Sequence, residues 1–113
     1  LVGSEMCIRD SNDAMALGAM DAYEKLGVTE SNVPAFFGVD GTDDGLEAVQ
    51  QSKLAATVYN DKEGQARAMA QLAYLAATGG SMKNIKFEDK KYVYLPYEKV
   101  THDNVNEFVK DEQ

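Results

Sequence analysis

An α/β fold with a mainly parallel sheet flanked by helices follows from three observations on this sequence. Short apolar runs of strand length alternate with longer stretches whose apolar residues recur at helical spacing. Asn, Asp, Gly and Pro punctuate the junctions, where helices start, stop or turn. The resulting order is helix, strand, helix, strand, helix, strand, strand, helix, and such alternation favours parallel strands joined by helical crossovers.

Residues 1–11 (LVGSEMCIRDS) carry neither periodicity and read as a translated adaptor-like string, a non-native segment to be set aside, with the native frame starting at Asn12. Residues 12–26 form the first helix: Met15, Ala19, Tyr23 and Leu26 make its stripe, flanked by Met20 and Ala22. Asn12 caps its start, Asp13 suits its positive end, and Gly27 stops it. Residues 33–39 (VPAFFGV) are too short for a helix and read as a buried strand with Pro34 near its beginning. A short helix over 46–51 follows, opened by Asp43 and Asp44, and 54–59 (LAATVY) is a second strand. The strongest helix is 61–78, where Ala66, Ala70, Leu72, Ala73, Leu75 and Ala76 give a broad apolar face between an Asn60 or Asp61 cap and Gly79-Gly80. Residues 85–87 and 92–95 read as paired strands around the charged turn 88–91, broken by Pro96. Thr101 then caps a last helix carrying Val105, Phe108 and Val109.

A net charge of −8 over 113 residues argues against nucleic acid or an anionic membrane surface as partner. Hydrophobic content of 44% is ordinary for a packed domain, and mean hydropathy is −0.39. No apolar run approaches the roughly 18 residues a spanning helix needs. The single cysteine, Cys7, excludes an internal disulfide and a cysteine-rich metal site. With only two separated strands before the long helix, a parallel sheet lacks cover on its faces, so residues 12–113 read as the last part of a larger α/β protein that would melt with poor cooperativity alone.

Catalysis has no visible candidate. There is no Gly-x-Ser-x-Gly, no phosphate loop and no Gly-x-Gly-x-x-Gly between strand and helix. His102 is the only histidine and lies in a polar stretch beside Asp103, as a solvated residue would. The run Asp40-Gly41-Thr42-Asp43-Asp44-Gly45 resembles a calcium loop in its first six positions, but Gln51 stands where the bidentate Glu belongs and a strand precedes it. A tight strand-to-helix turn accounts for both glycines. No cofactor is expected.

Asn12, Asp40 and Asn60 are the candidate ligand-binding residues. Each lies past the end of one element and at the start of the next, and the carboxyl ends of strands in α/β sheets line the ligand crevice. Amides that donate and accept, with a carboxylate that accepts, suit the hydroxyls of a neutral polyol better than a phosphate. Each also has an alternative use as a helix cap.

Four segments carry a family resemblance: NDAMALGAMDA (12–22), VPAFFGVDG (33–41), KLAATVYNDKEGQARA (53–68) and VYLPYEKVTHDNVNEF (93–108). In order and spacing they resemble the C-terminal third of galactose/glucose-binding members of the type I periplasmic sugar-binding family. NDAMALGA and GVDG also occur in ribose binders and sugar-responsive repressors, whereas Asn60 before Asp61 is the galactose-type choice where ribose-type members carry Gln. The resemblance implies that Asn12, Asp40 and Asn60 contact a hexose. It places 12–60 in the C-terminal lobe, 61–95 in the N-terminal lobe, and 96–113 in a hinge return with a closing helix. It further implies a periplasmic or extracellular component of an ABC importer, with a lipid anchor as one mode of attachment, monomeric at full length, with a permease and a chemoreceptor as partners. The family's calcium loop and sandwiching aromatic residues fall outside this piece, which has no Trp. Ser11 stands where members have a second Asn. The alternative implied by the same architecture is the effector-binding domain of a sugar-responsive transcription repressor.

Overall fold

The computed structural model describes residues 7–28 and 32–109. In chain order they form β1 (Cys7–Arg9), α1 (Asp13–Lys25), β2 (Ala35–Phe37), α2 (Asp43–Gln50), β3 (Ala56–Asn60), α3 (Lys62–Thr78), β4 (Tyr97–Thr101) and a 3₁₀ turn (Val105–Glu107). The strands make one four-stranded sheet in the order β1-β2-β3-β4. β1 pairs parallel with β2, Ile8 opposite Phe36, and β2 pairs parallel with β3. The ladder outruns β2: Asp40 N donates to Val58 O at 2.8 Å and Asn60 N to Asp40 O at 3.0 Å.

The described residues divide into two compact units, one holding 7–28, 32–60 and 98–109, the other Asp61–Tyr97. In the first, α1 begins where Asn12, in extended conformation, accepts from Met15 N through Oδ1 at 2.9 Å. It ends in a Schellman-type turn, with Gly27 at φ 67° and Val28 N reaching Tyr23 O at 3.3 Å. α2 starts at Asp43, three residues earlier than the apolar pattern predicts, because Thr42 Oγ1 accepts from Gly45 N at 3.1 Å and caps it. Ser52 at φ 59° turns the chain so that Lys53 N and Leu54 N both return to Ala48 O, and Leu54 enters the core.

That core is Ala16 of α1, Phe36 of β2, Leu46, Ala48 and Val49 of α2, Leu54, Val100 of β4, and Val105. Fully burying a Phe, Leu or Val contributes about 1.5–3 kcal/mol each. Tyr23 meets Phe36 edge-on with ring centroids 5.7 Å apart, and Tyr59 packs against Phe108 at 5.1 Å.

In the second unit, Asp61 Oδ1 caps α3 through Gly64 N at 2.9 Å, and Gly79 at φ 66° closes it with Gly80 N on Leu75 O. None of α3 is buried within this chain; Leu72 and Leu75 are half-buried and Met69 is 70% exposed.

Four expectations need correction. Residues 1–11 carry no legible pattern, yet Cys7–Arg9 is a strand, since three residues beside β2 suffice to extend a parallel ladder; residues 1–6 lie outside the described residues. The predicted strands 85–87 and 92–95 are absent: only a Glu88–Tyr92 bridge forms, around Asp89 and Lys90 at φ 49° and 60°. Two successive left-handed residues want Asn-Gly rather than Asp-Lys, and an isolated hairpin is marginal without a face to pack on. Beyond Pro96, β4 arises where the pattern shows none, because charged Glu98 and Lys99 mask Val100 as the only buried position. The last helix shrinks to the 3₁₀ turn: Asn104 Oδ1 accepts from Thr101 N at 2.8 Å while its Nδ2 donates to Lys99 O, tying the segment to β4 rather than to a helix. The part of that helix at 110 lies outside the described residues.

Candidate functional site

Each predicted site residue stands at the carboxyl end of a strand. Asn12 follows β1, Asp40 follows β2, and Asn60 is the last residue of β3. Backbone bonds tie these positions together. Asp13 N donates to Val39 O at 2.8 Å, and Asn60 N donates to Asp40 O. The three therefore share one rim of the sheet, within the first unit.

Their local states differ. Asn12 is half-buried; Oδ1 is spent on the cap, and among the described residues its Nδ2 has no protein partner. Asp40 has φ 105°, rare for a residue with a Cβ, and its carboxylate has no hydrogen-bond or ion-pair partner among the described residues. Such a backbone costs about 1–3 kcal/mol and persists only where neighbours over-determine it. Asn60 is half-buried. The rim thus presents an amide donor at Asn12 and, at Asp40, an acceptor without a partner among the described residues, groups that complement hydroxyls.

Beneath the rim lies a group that the sequence marks only as an acidic helix start. Asp13 is 0% exposed. Its Oδ2 accepts from Thr42 N at 2.7 Å and Thr42 Oγ1 at 3.0 Å, and its Oδ1 from Thr57 Oγ1 at 2.5 Å. Thr57 Oγ1 accepts in turn from Gly41 N at 3.3 Å. A buried carboxylate is tolerable when its lone pairs are so occupied. A Cβ at Gly38 would overlap Asp13 Oδ1, and one at Gly45 would overlap Oδ2. The signals in the sequence were those two glycines around Asp40 and a Thr inside the apolar LAATVY run.

His102 is exposed in the turn after β4. Thr42, Asp43 and Asp44 serve the cap and first turn of α2, the structural use expected of the 40–45 run. Among the described residues no cluster of His, Cys, Asp and Glu could hold a metal ion, and no helix is long and apolar enough to cross a membrane.

A parallel α/β lobe with polar side chains gathered at the strands' carboxyl ends is the architecture of a small-molecule binding domain. The periplasmic binding protein domain matches residues 7–81, and the chain belongs to that family. The match includes β1. The chain is 38% identical over 105 residues to the D-galactose/methyl-galactoside binding periplasmic protein of Haemophilus influenzae, covering 91% of this chain and 30% of that protein. It is 32% identical over 98 residues to a putative rhizopine-binding protein of Rhizobium meliloti, covering 87% of this chain and 29% of that one. Among solved structures it superposes on an ABC transporter solute binding protein from Bacillus halodurans with bound myo-inositol: TM-score 0.76, 34% identity, 95% of this chain and 34% of the other. These relatives are binding proteins, not enzymes. The chain spans under a third of the length of the curated relatives named here.

Proposed function

We propose that this chain is part of the periplasmic substrate-binding component of an ABC sugar importer and grips a hexose of the galactose/glucose type through Asn12, Asp40 and Asn60. The observation that carries the reading is Asp40: a carboxylate without a partner among the described residues, on a strained backbone, at the rim it shares with Asn12 and Asn60. Asp40 accepts from adjacent sugar hydroxyls, Asn12 donates through Nδ2, and Asn60 acts from the end of β3. Residues 12–60 and 98–109 belong to one lobe and 61–97 to the other, and closure on the ligand delivers the sugar to a membrane permease. No covalent bond is made or broken.

The choice of a galactose-type pyranose is supported by coverage. The galactose-binding relative aligns with 91% of the chain, whereas ribose import binding proteins align with 42–54% of it. myo-Inositol, bound in the Bacillus halodurans structure, is likewise a six-membered ring of hydroxyls.

The test is calorimetry on a two-lobed chimera in which residues 12–109 replace the matching segment of the Haemophilus influenzae protein, titrated with D-galactose, D-glucose, D-ribose and myo-inositol. A pyranose hexose should bind most tightly. Asp40→Ala should weaken it tenfold or more, since a hydrogen bond to a charged group contributes about 1.5–3 kcal/mol. Unchanged affinity would remove Asp40 from the site.

A further inference from the structure

We infer that Asp13 is the positioning residue of this site: its buried carboxylate holds Asp40 in the backbone conformation that presents it to the sugar, an inference that rests on Asp40 being a sugar contact. The chain of contacts is short. Asp13 Oδ1 takes the Thr57 hydroxyl proton, which leaves a Thr57 Oγ1 lone pair facing Gly41 N, the amide next to Asp40. Asp13 Oδ2 takes both the amide and the hydroxyl of Thr42, two residues beyond Asp40. Asp40 N is held by Val58 O and Asp40 O by Asn60 N. Every backbone polar group from Asp40 N to Gly41 N, together with the Thr42 amide, is thereby fixed from below, which is the over-determination that a φ of 105° requires.

Helix capping does not account for this carboxylate. Asn12 already caps α1, through Met15 N. Among the described residues, the Asp13 side chain's three bonds go instead to residues 29 or 44 positions away, in the loop that carries Asp40 and in the strand beneath it. Gly38 and Gly45 flank it so closely that neither admits a Cβ, so the carboxylate has one seat. Full burial denies it water as a substitute partner. Among the described residues the Asp13 carboxylate bonds to Thr42 and Thr57 and not to the Asn12, Asp40 or Asn60 side chains; it acts through the backbone beside Asp40.

The experiment is a double-mutant cycle in the two-lobed chimera, read as D-galactose affinity by calorimetry. Asp13→Asn turns one acceptor into a donor, which either faces the Thr42 N–H or reverses the bond with the Thr57 hydroxyl. Thr57→Val removes only the hydroxyl relay and serves if Asp13→Asn does not fold. For residues that act through one another the losses are non-additive: each variant should weaken binding about tenfold when Asp40 is present and less than about twofold in the Asp40→Ala background. Equal losses in both backgrounds would make Asp13 a merely structural residue and overturn the inference. Loss of affinity in Asp40→Ala with none in Asp13→Asn or Thr57→Val would overturn it too, while leaving the sugar reading intact. No effect of Asp40→Ala would instead sink the sugar reading. The positioning claim then stands or falls on NMR of the 113-residue chain. There Thr57→Val should expose the Gly41 amide to exchange and move the Asp40 amide–α-proton coupling away from its parent value; an unchanged coupling and exchange rate would refute it.

Discussion

The two compact units have comparable apolar content but opposite burial. Residues 7–60 and 98–109 enclose eight buried hydrophobic side chains, whereas no described residue of Asp61–Tyr97 is buried. α3 has the clearest helical pattern in the chain, with two good caps, and still buries none of its residues. α2 is half its length and buries Leu46, Ala48 and Val49. Periodicity and capping therefore decide where a helix forms, and the arrangement of neighbouring elements decides what it contributes. In the first unit β1, β2 and β3 pair parallel, and the helices that follow β1 and β2, α1 and α2, return to build the core. The second has one helix and a hairpin turn, too few elements to enclose a core.

This contrast can be broken by mutation. Phe36→Ala should cost about 3–5 kcal/mol in urea unfolding followed by far-UV circular dichroism, as large-to-small core changes do; a loss below about 1 kcal/mol would mean the first unit's core is not the source of its stability. Gly45→Ala should cost about 1–3 kcal/mol through overpacking against the Asp13 carboxylate. Asp40→Gly should raise the unfolding free energy by about 1 kcal/mol, by releasing the positive φ, while weakening hexose binding in the chimera. A fall in stability would show that the Asp40 side chain supports the fold. Leu72→Ala on α3 should change the stability of this chain by less than about 0.5 kcal/mol, the range of surface substitutions. A larger cost would mean that the α3 face is packed in solution.

The legible parts of the fold were the local ones. Asn12, Asp61, Gly27 and Gly79 announce helix ends because capping acts within a turn of the chain, and Phe36 and Val58 sit in apolar runs that read as strands, although the strands span only Ala35–Phe37 and Ala56–Asn60 and Leu54 lies in the turn before β3. The rim positions of Asp40 and Asn60 followed from the same logic, since each sits where an apolar run gives way to a helix start, whereas Asn12 was legible only as a helix start because the strand before it carries no pattern. β4 was hidden because Glu98 and Lys99 face outward on an edge strand and leave one apolar residue to read. The 85–95 pairing failed for the converse reason, as suitable apolar residues there lack a surface to close on. Asp13 was the largest omission at the site. Its role depends on Thr42 and Thr57 meeting it from 29 and 44 residues away, and no periodicity encodes a meeting of that kind.

The tight seat around Asp13 bears on how such a domain acquires new specificities. Exchanging it, Gly38 or Gly45 one at a time passes through a clashing or unsatisfied intermediate, so these positions are closed to gradual drift. Asp40 and Asn60 stand above that frame, and new side chains there leave its bonds untouched. On the proposed reading, selectivity changes by substitutions on the lip while the seat beneath keeps its bonds, and a designer wanting a different sensor should randomise the same few places.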